Sequence, residues 1–150
     1  MAWRLIALRY LPLLGAFNLV WETAQLPLYT IWQDGSVQEL AYAVTHCTLG
    51  DLGIGGFSLM AALTVTRSSV PSTWSLIKVA GLTTAFAVSY TVYSEWLNTS
   101  VWEAWAYSDL MPVVPVIGIG LSPLLQWLVI PTLALALSSQ RYGKSERVRT

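Results

Sequence analysis

The sequence predicts an all-α, polytopic integral membrane protein with four transmembrane helices, and three observations carry that prediction. Hydrophobic residues make up 55% of the 150 and charged residues 11%, against about 25% charged in soluble domains; the mean hydropathy is +0.55. Four apolar stretches each reach the length of about 20 residues that a helix needs to cross a bilayer. The lysines and arginines gather at alternate ends of those stretches. Four such helices and their connections occupy the chain, so a single transmembrane domain over residues 1–150 is expected.

The first span is expected over residues 5–32. Arg4 and Arg9 precede an apolar run in the manner of a secretory signal. However, no small-residue cleavage site precedes Trp21-Glu22-Thr23-Ala24-Gln25, so a retained helix is predicted. The turn Gln33-Asp34-Gly35-Ser36 ends it. The second span, 37–66, stops at a polar run containing Pro71, which disfavours helix in the residue before it. The third, 73–98, has Ser72 or Thr73 available as a cap. A tryptophan-rich connector over 99–111 reads as a short interfacial helix or a lid over a site. The fourth span, 112–137, contains Pro112, Pro115 and Pro123 and is expected to kink or unwind near Gly118-Ile119-Gly120, because proline leaves a helix carbonyl without its donor.

Arg4 and Arg9, then Arg67 and Lys78, then Arg141, Lys144, Arg147 and Arg149 form three basic clusters. The two other loops carry Asp34, Glu39, Glu103 and Asp109 and no base. Basic residues are retained on the cytoplasmic side, which predicts both termini and the middle loop inside, in a multi-pass protein of the cell membrane, the inner one if bacterial. Trp32, Trp96, Trp102, Trp105 and Tyr107 crowd the outer boundary, and Trp3, Trp74 and Tyr142 mark the inner one, as interfacial aromatic belts do. Eight acids against eight bases leave no field suited to nucleic acid. Cys47 stands alone, so no internal disulfide forms.

Ionisable groups inside apolar spans cost several kcal/mol, roughly, and mark interior sites. Asn18, Glu22, Gln25 and Tyr29 recur at spacings of four, three and four, which at about 100° per residue places them on one helix face. On the second span Cys47 and Asp51 share a face, whereas His46 and Asp51 diverge by roughly 140°. Thr91, Glu95 and Asn98 align on the third span, with Tyr90 on an adjoining strip, and Ser122 and Gln126 align on the fourth. Glu22 and His46 each lie about ten residues from the outer ends of their spans, or ~15 Å deep. A polar cavity reaching inward from the outer leaflet satisfies all of them. The glycine-rich run over 50–56 removes side-chain bulk beside Asp51; it suits helix packing, a second copy of the chain or partner membrane helices.

Glu22, His46, Asp51 and Glu95 are therefore the candidate acid/base groups. Gln25, Tyr29, Tyr90, Asn98, Trp96, Trp102, Ser122 and Gln126 are the candidate substrate contacts. One histidine and one cysteine exclude bis-histidine haem and thiolate-rich metal centres, and no Glu-x-x-His pairing occurs, so neither a metal nor a cofactor is expected. The reading drawn from these residues is a pocket that binds or converts an apolar, isoprenoid- or lipid-like molecule by acid/base chemistry. An accessory subunit of a larger membrane complex and a proton or ion pathway are the alternatives. The latter is weakened by the scarcity of polar residues inward of Asp51.

Overall fold

The computed structural model describes residues 2–68, 70–71 and 74–147, with side chains over 3–68, 70–71 and 74–139. The proposed Ser72 or Thr73 cap, Arg149, and the side chains of Arg141, Tyr142, Lys144 and Arg147 lie outside the described residues.

The chain opens with α1 (Ala2–Leu5), passes through a π turn (Ile6–Tyr10) and continues into α2 (Leu11–Gln25). Pro12 has no N–H to donate to the carbonyl four residues back, which accounts for the irregular turn ahead of it. Pro27 acts similarly at the other end. Helix gives way to a 3-10 turn (Leu26–Leu28), and Tyr29 is extended, with φ −118° and ψ 149°. The expected span 5–32 is therefore shorter than its apolar length suggests, and Trp32 belongs to a separate single turn, α3 (Ile31–Asp34).

The long helix α4 (Val37–Val65) agrees with the expected 37–66. A capping box fixes its start: Glu39 N–H donates to Ser36 Oγ (3.3 Å) and Ser36 N–H to Glu39 Oε2 (2.7 Å). Arg67, in the left-handed region at φ 52°, turns the chain out of it. The next helix, α5 (Leu76–Trp96), begins three residues later than expected and extends through a π turn (Leu97–Val101) beyond residue 98.

The largest departure is at the fourth stretch, where residues 112–120 are not helical. Val113–Val114 (β1) and Ile119–Gly120 (β2) pair antiparallel, with Gly118 at φ +68° in the turn. Pro112 and Pro115 cannot supply helical N–H donors, and a positive φ suits glycine. Helix α6 (Leu121–Arg147) follows. The fold is thus mostly helical with a small ribbon, not purely α.

Four of these segments, Trp3–Leu28, Val37–Val65, Leu76–Val101 and Leu121–Ser139, are long and apolar enough to cross a membrane. They run alternately up and down in a ring in which α2 packs on α4, α4 on α5, α5 on α6 and α6 on α2. At the end nearer the termini the interior is apolar, built from Leu5, Tyr10, Leu14, Leu59, Ile130 and Leu135. A Cβ on Gly55 would lie 2.5 Å from Leu14 Cδ2 and 3.3 Å from the Trp127 ring, so this glycine lets three helices meet closely. At the opposite end the ring opens into a cavity.

Candidate functional site

The cavity has a volume of about 580 Å³ and is enclosed by all four long helices and two connectors. Its depth is set by α2, where the spacing read from the sequence holds: Asn18, Glu22 and Gln25 are all buried. From α6, Gln126 Nε2 donates to Asn18 Oδ1 (2.8 Å), to Glu22 Oε1 (3.0 Å) and to Asp51 Oδ2 on α4 (2.7 Å). Two amide hydrogens thus serve three acceptors. The Glu22 and Asp51 carboxyls meet at this one shared amide.

A second chain of donors ends on the same oxygen. Trp21 Nε1 donates to Ser122 Oγ (3.2 Å), Ser122 Oγ to Gln25 Oε1 (2.8 Å), and Gln25 Nε2 to Glu22 Oε1 (2.8 Å). Such aligned donors polarise one another. They fix the Glu22 carboxyl between α2 and α6 with both amides on Oε1.

Glu95 supplies the third carboxyl, from α5. It accepts from the Tyr107 hydroxyl and is approached by the Trp105 indole, both from the connector after α5. That connector is stitched to the chain following α2. Thr30 N–H donates to Ala106 O (3.0 Å), Ser108 N–H to Leu28 O (2.9 Å), Ser108 Oγ to Pro27 O (2.9 Å), and Tyr29 bridges Tyr107. Burial first, and then Glu95, pushes the Tyr107 phenol above its ordinary range, as it does that of Tyr29, so both remain protonated donors.

Ten of the twelve residues singled out in the sequence line this one cavity: Glu22, His46, Asp51 and Glu95, then Gln25, Tyr29 and Tyr90, then Asn98, Trp102 and Gln126. Tyr29 does so from an extended segment and not from the helix face assigned to it. Trp96 and Ser122 are not in the wall. Trp96, one residue from Glu95, is turned outward against Tyr93 (ring centroids 6.2 Å apart), and Ser122 is committed to Gln25. His46 is exposed at the cavity and stacks on Tyr42, with centroids 5.4 Å apart and 19° between planes. Among the described residues it pairs with no carboxyl. The acid cluster is consequently Glu22 with Asp51, plus Glu95, and His46 stands at its margin.

Tyr42 and Tyr107 were not identified in the sequence as site residues. Tyr42 lies four residues before His46, a helical spacing that foreshadows the stacking, whereas Tyr107 acts from a non-periodic connector. Trp127 forms the floor of the cavity against Gly55. No cluster of three or more His, Cys, Asp or Glu with metal-binding geometry occurs among the described residues.

A smaller apolar groove of about 290 Å³ runs along Gly50, Gly53, Phe57 and Ser58. It shares Gly50, Ile54 and Tyr90 with the main cavity, so the two adjoin along that wall. Gly50 and Gly53 open onto that groove: unlike at Gly55, a Cβ added to either would meet no neighbour within 4 Å. No protein-family model matches the chain, and no curated protein or solved structure shows significant similarity to it.

Proposed function

We propose that the chain is an integral membrane protein, with both termini cytoplasmic, that binds or converts a lipid-like molecule. The polar end of that molecule sits at Glu22, Asp51 and Glu95, and its apolar chain lies in the groove between α4 and α5. The observation that carries this reading is that the carboxyl-lined cavity and the apolar groove lie side by side, with Gly50, Ile54 and Tyr90 lining both. Large apolar side chains such as Val20, Phe57 and Ile77 are exposed on α2, α4 and α5, as they are where lipid and not water is the solvent. Two carboxyls held on one amide can give and accept a proton at a bound head group once one of them is protonated, which supplies the acid/base capacity of the site.

Binding is favoured over proton or ion movement because the interior beyond Trp127 is filled by Leu14, Leu59 and Ile130. A polar path would have to cross that layer.

A hexadecyl chain carrying a mid-chain diazirine and a hydroxyl or amine head tests the reading by photo-crosslinking in nanodiscs. Adducts are expected at Gly53 and Phe57, and to be lost in Gly53→Phe, which adds bulk to the groove at a position where a Cβ meets no neighbour within 4 Å. Adducts spread evenly over outward residues such as Ile77, unchanged by Gly53→Phe, overturn it.

A further inference from the structure

We propose that the head group recognised at this site is a protonated amine carried on an apolar chain, an inference that rests on the lipid-binding reading above. The reason is an imbalance of hydrogen-bonding capacity around the cavity. Its wall holds three carboxyl groups, from α2, α4 and α5, and contains no lysine or arginine among the described residues. Of the donors that face these carboxyls, the Gln126 and Gln25 amides are engaged on Glu22 and Asp51 and the Tyr107 hydroxyl on Glu95, which leaves the Trp105 indole N–H. Each ionised carboxyl offers about four lone-pair sites, so acceptor capacity exceeds the donors at hand even with that indole counted. An ammonium group is the complement, with donors only and a positive charge.

A separate observation points the same way. Thr91 is 6% exposed and lines the cavity, and its Oγ1 has no hydrogen-bond partner. Several helical hydroxyls in this chain turn back to the carbonyl four residues earlier, as Thr83 does to Val79 and Ser89 to Ala85, both at 2.8 Å, whereas Thr91, like Thr48, does not. The Thr91 oxygen is unpaired on the helix face that carries Glu95, one turn away. A buried hydroxyl left unpaired is costly unless a ligand pairs with it.

The rest of the wall suits a cation. Tyr42, Tyr90, Trp102, Trp105 and Trp127 surround the space, and aromatic faces attract ammonium groups. A fatty acid would set a fourth carboxylate among three. A neutral alcohol would satisfy one acceptor and gain nothing from the charge.

The test compares hexadecylamine, hexadecanol and hexadecanoic acid, each titrated into the full chain in neutral maltoside micelles and followed by tryptophan fluorescence. Subtraction of the signal from a Glu22→Gln/Asp51→Asn double variant removes partitioning into the micelle. The amine is expected to bind at least about ten-fold more tightly than the alcohol, with the acid weakest, as a desolvated cation beside carboxylates and aromatic rings requires. Thr91→Val, which removes the hydroxyl at nearly constant volume, is expected to weaken the amine several-fold, on the order of one lost hydrogen bond. Equal binding of amine and alcohol, or preference for the acid, overturns the amine assignment and leaves the lipid-binding reading standing. If none of the three chains binds, both fall. The comparison of three probes on the unaltered chain stands even where a variant fails to fold.

Discussion

Gln126→Leu is the substitution that most directly probes how the buried polar cluster is held together. The side chain is 2% exposed and its Nε2 lies 2.7 to 3.0 Å from acceptors on Asn18, Glu22 and Asp51. With two hydrogens to share, the amide makes the equivalent of two good bonds. Each is worth about 0.6 kcal/mol on average between helices in a membrane and about 1 kcal/mol in a protein interior. The loss is therefore about 1–3 kcal/mol, the upper end applying because Asn18 has no other side-chain bond among the described residues, whereas Glu22 keeps Gln25. Leucine is close enough in size to avoid adding a large cavity term. Gln126→Glu is expected to be worse, since it keeps the shape but replaces the donor with a third acid facing two others. Thermal unfolding of the purified protein in maltoside reads the result, at roughly 2–4 °C per kcal/mol for a chain of this size. A Gln126→Leu protein melting within about 1 °C of the parent, a shift smaller than the loss of even one such bond requires, would refute the idea that this amide ties α2, α4 and α6 together.

Gly55→Ala should cost about 1–3 kcal/mol by pressing on Leu14 and Trp127, whereas Gly53→Ala, in open space, should be neutral or stabilise by up to about 1 kcal/mol through helix propensity; parallel melting curves decide between them. Ser36→Ala removes the capping box of α4 and should cost about 1 kcal/mol, seen as faster hydrogen exchange confined to the first turn after Ser36. In a Cys47→Ser background, cysteines placed at Asp109 and at Ser68 should differ in intact cells, only the first reacting with a membrane-impermeant maleimide, as the distribution of basic residues requires; the reverse pattern inverts the topology.

The helical half of the site was legible because its signal is periodic. Asn18, Glu22 and Gln25 had to share a face of any helix that contained them, and such a face turns inward when its surroundings are apolar. Thr91 and Asn98 were placed beside Glu95 by the same spacing, and Trp96 fails it, being one residue or about 100° away from Glu95. What the sequence hid lies where periodicity ends. The stretch Val113-Val114-Pro115-Val116-Ile117 is as apolar as a span, and only its prolines and Gly118 hint that it folds into a hairpin. Tyr107 reaches Glu95 across a connector whose path is set by bonds to Thr30 and Ser108, partners that no local pattern announces. His46 does less in the structure than its residue type suggests, because an imidazole's capacity to relay protons says nothing about whether it reaches an acid.

The cross-ties joining Thr30 to Ala106 and Ser108 to Leu28 and Pro27 bind the two connectors into one cap over the cavity. Lifting that cap breaks several bonds at once, whereas the flank beside Gly50 and Gly53 is already open. On the proposed reading, a guest would arrive sideways from the bilayer without ever dissolving in water. Its capture would then be a search in two dimensions, governed by its abundance in the surrounding leaflet.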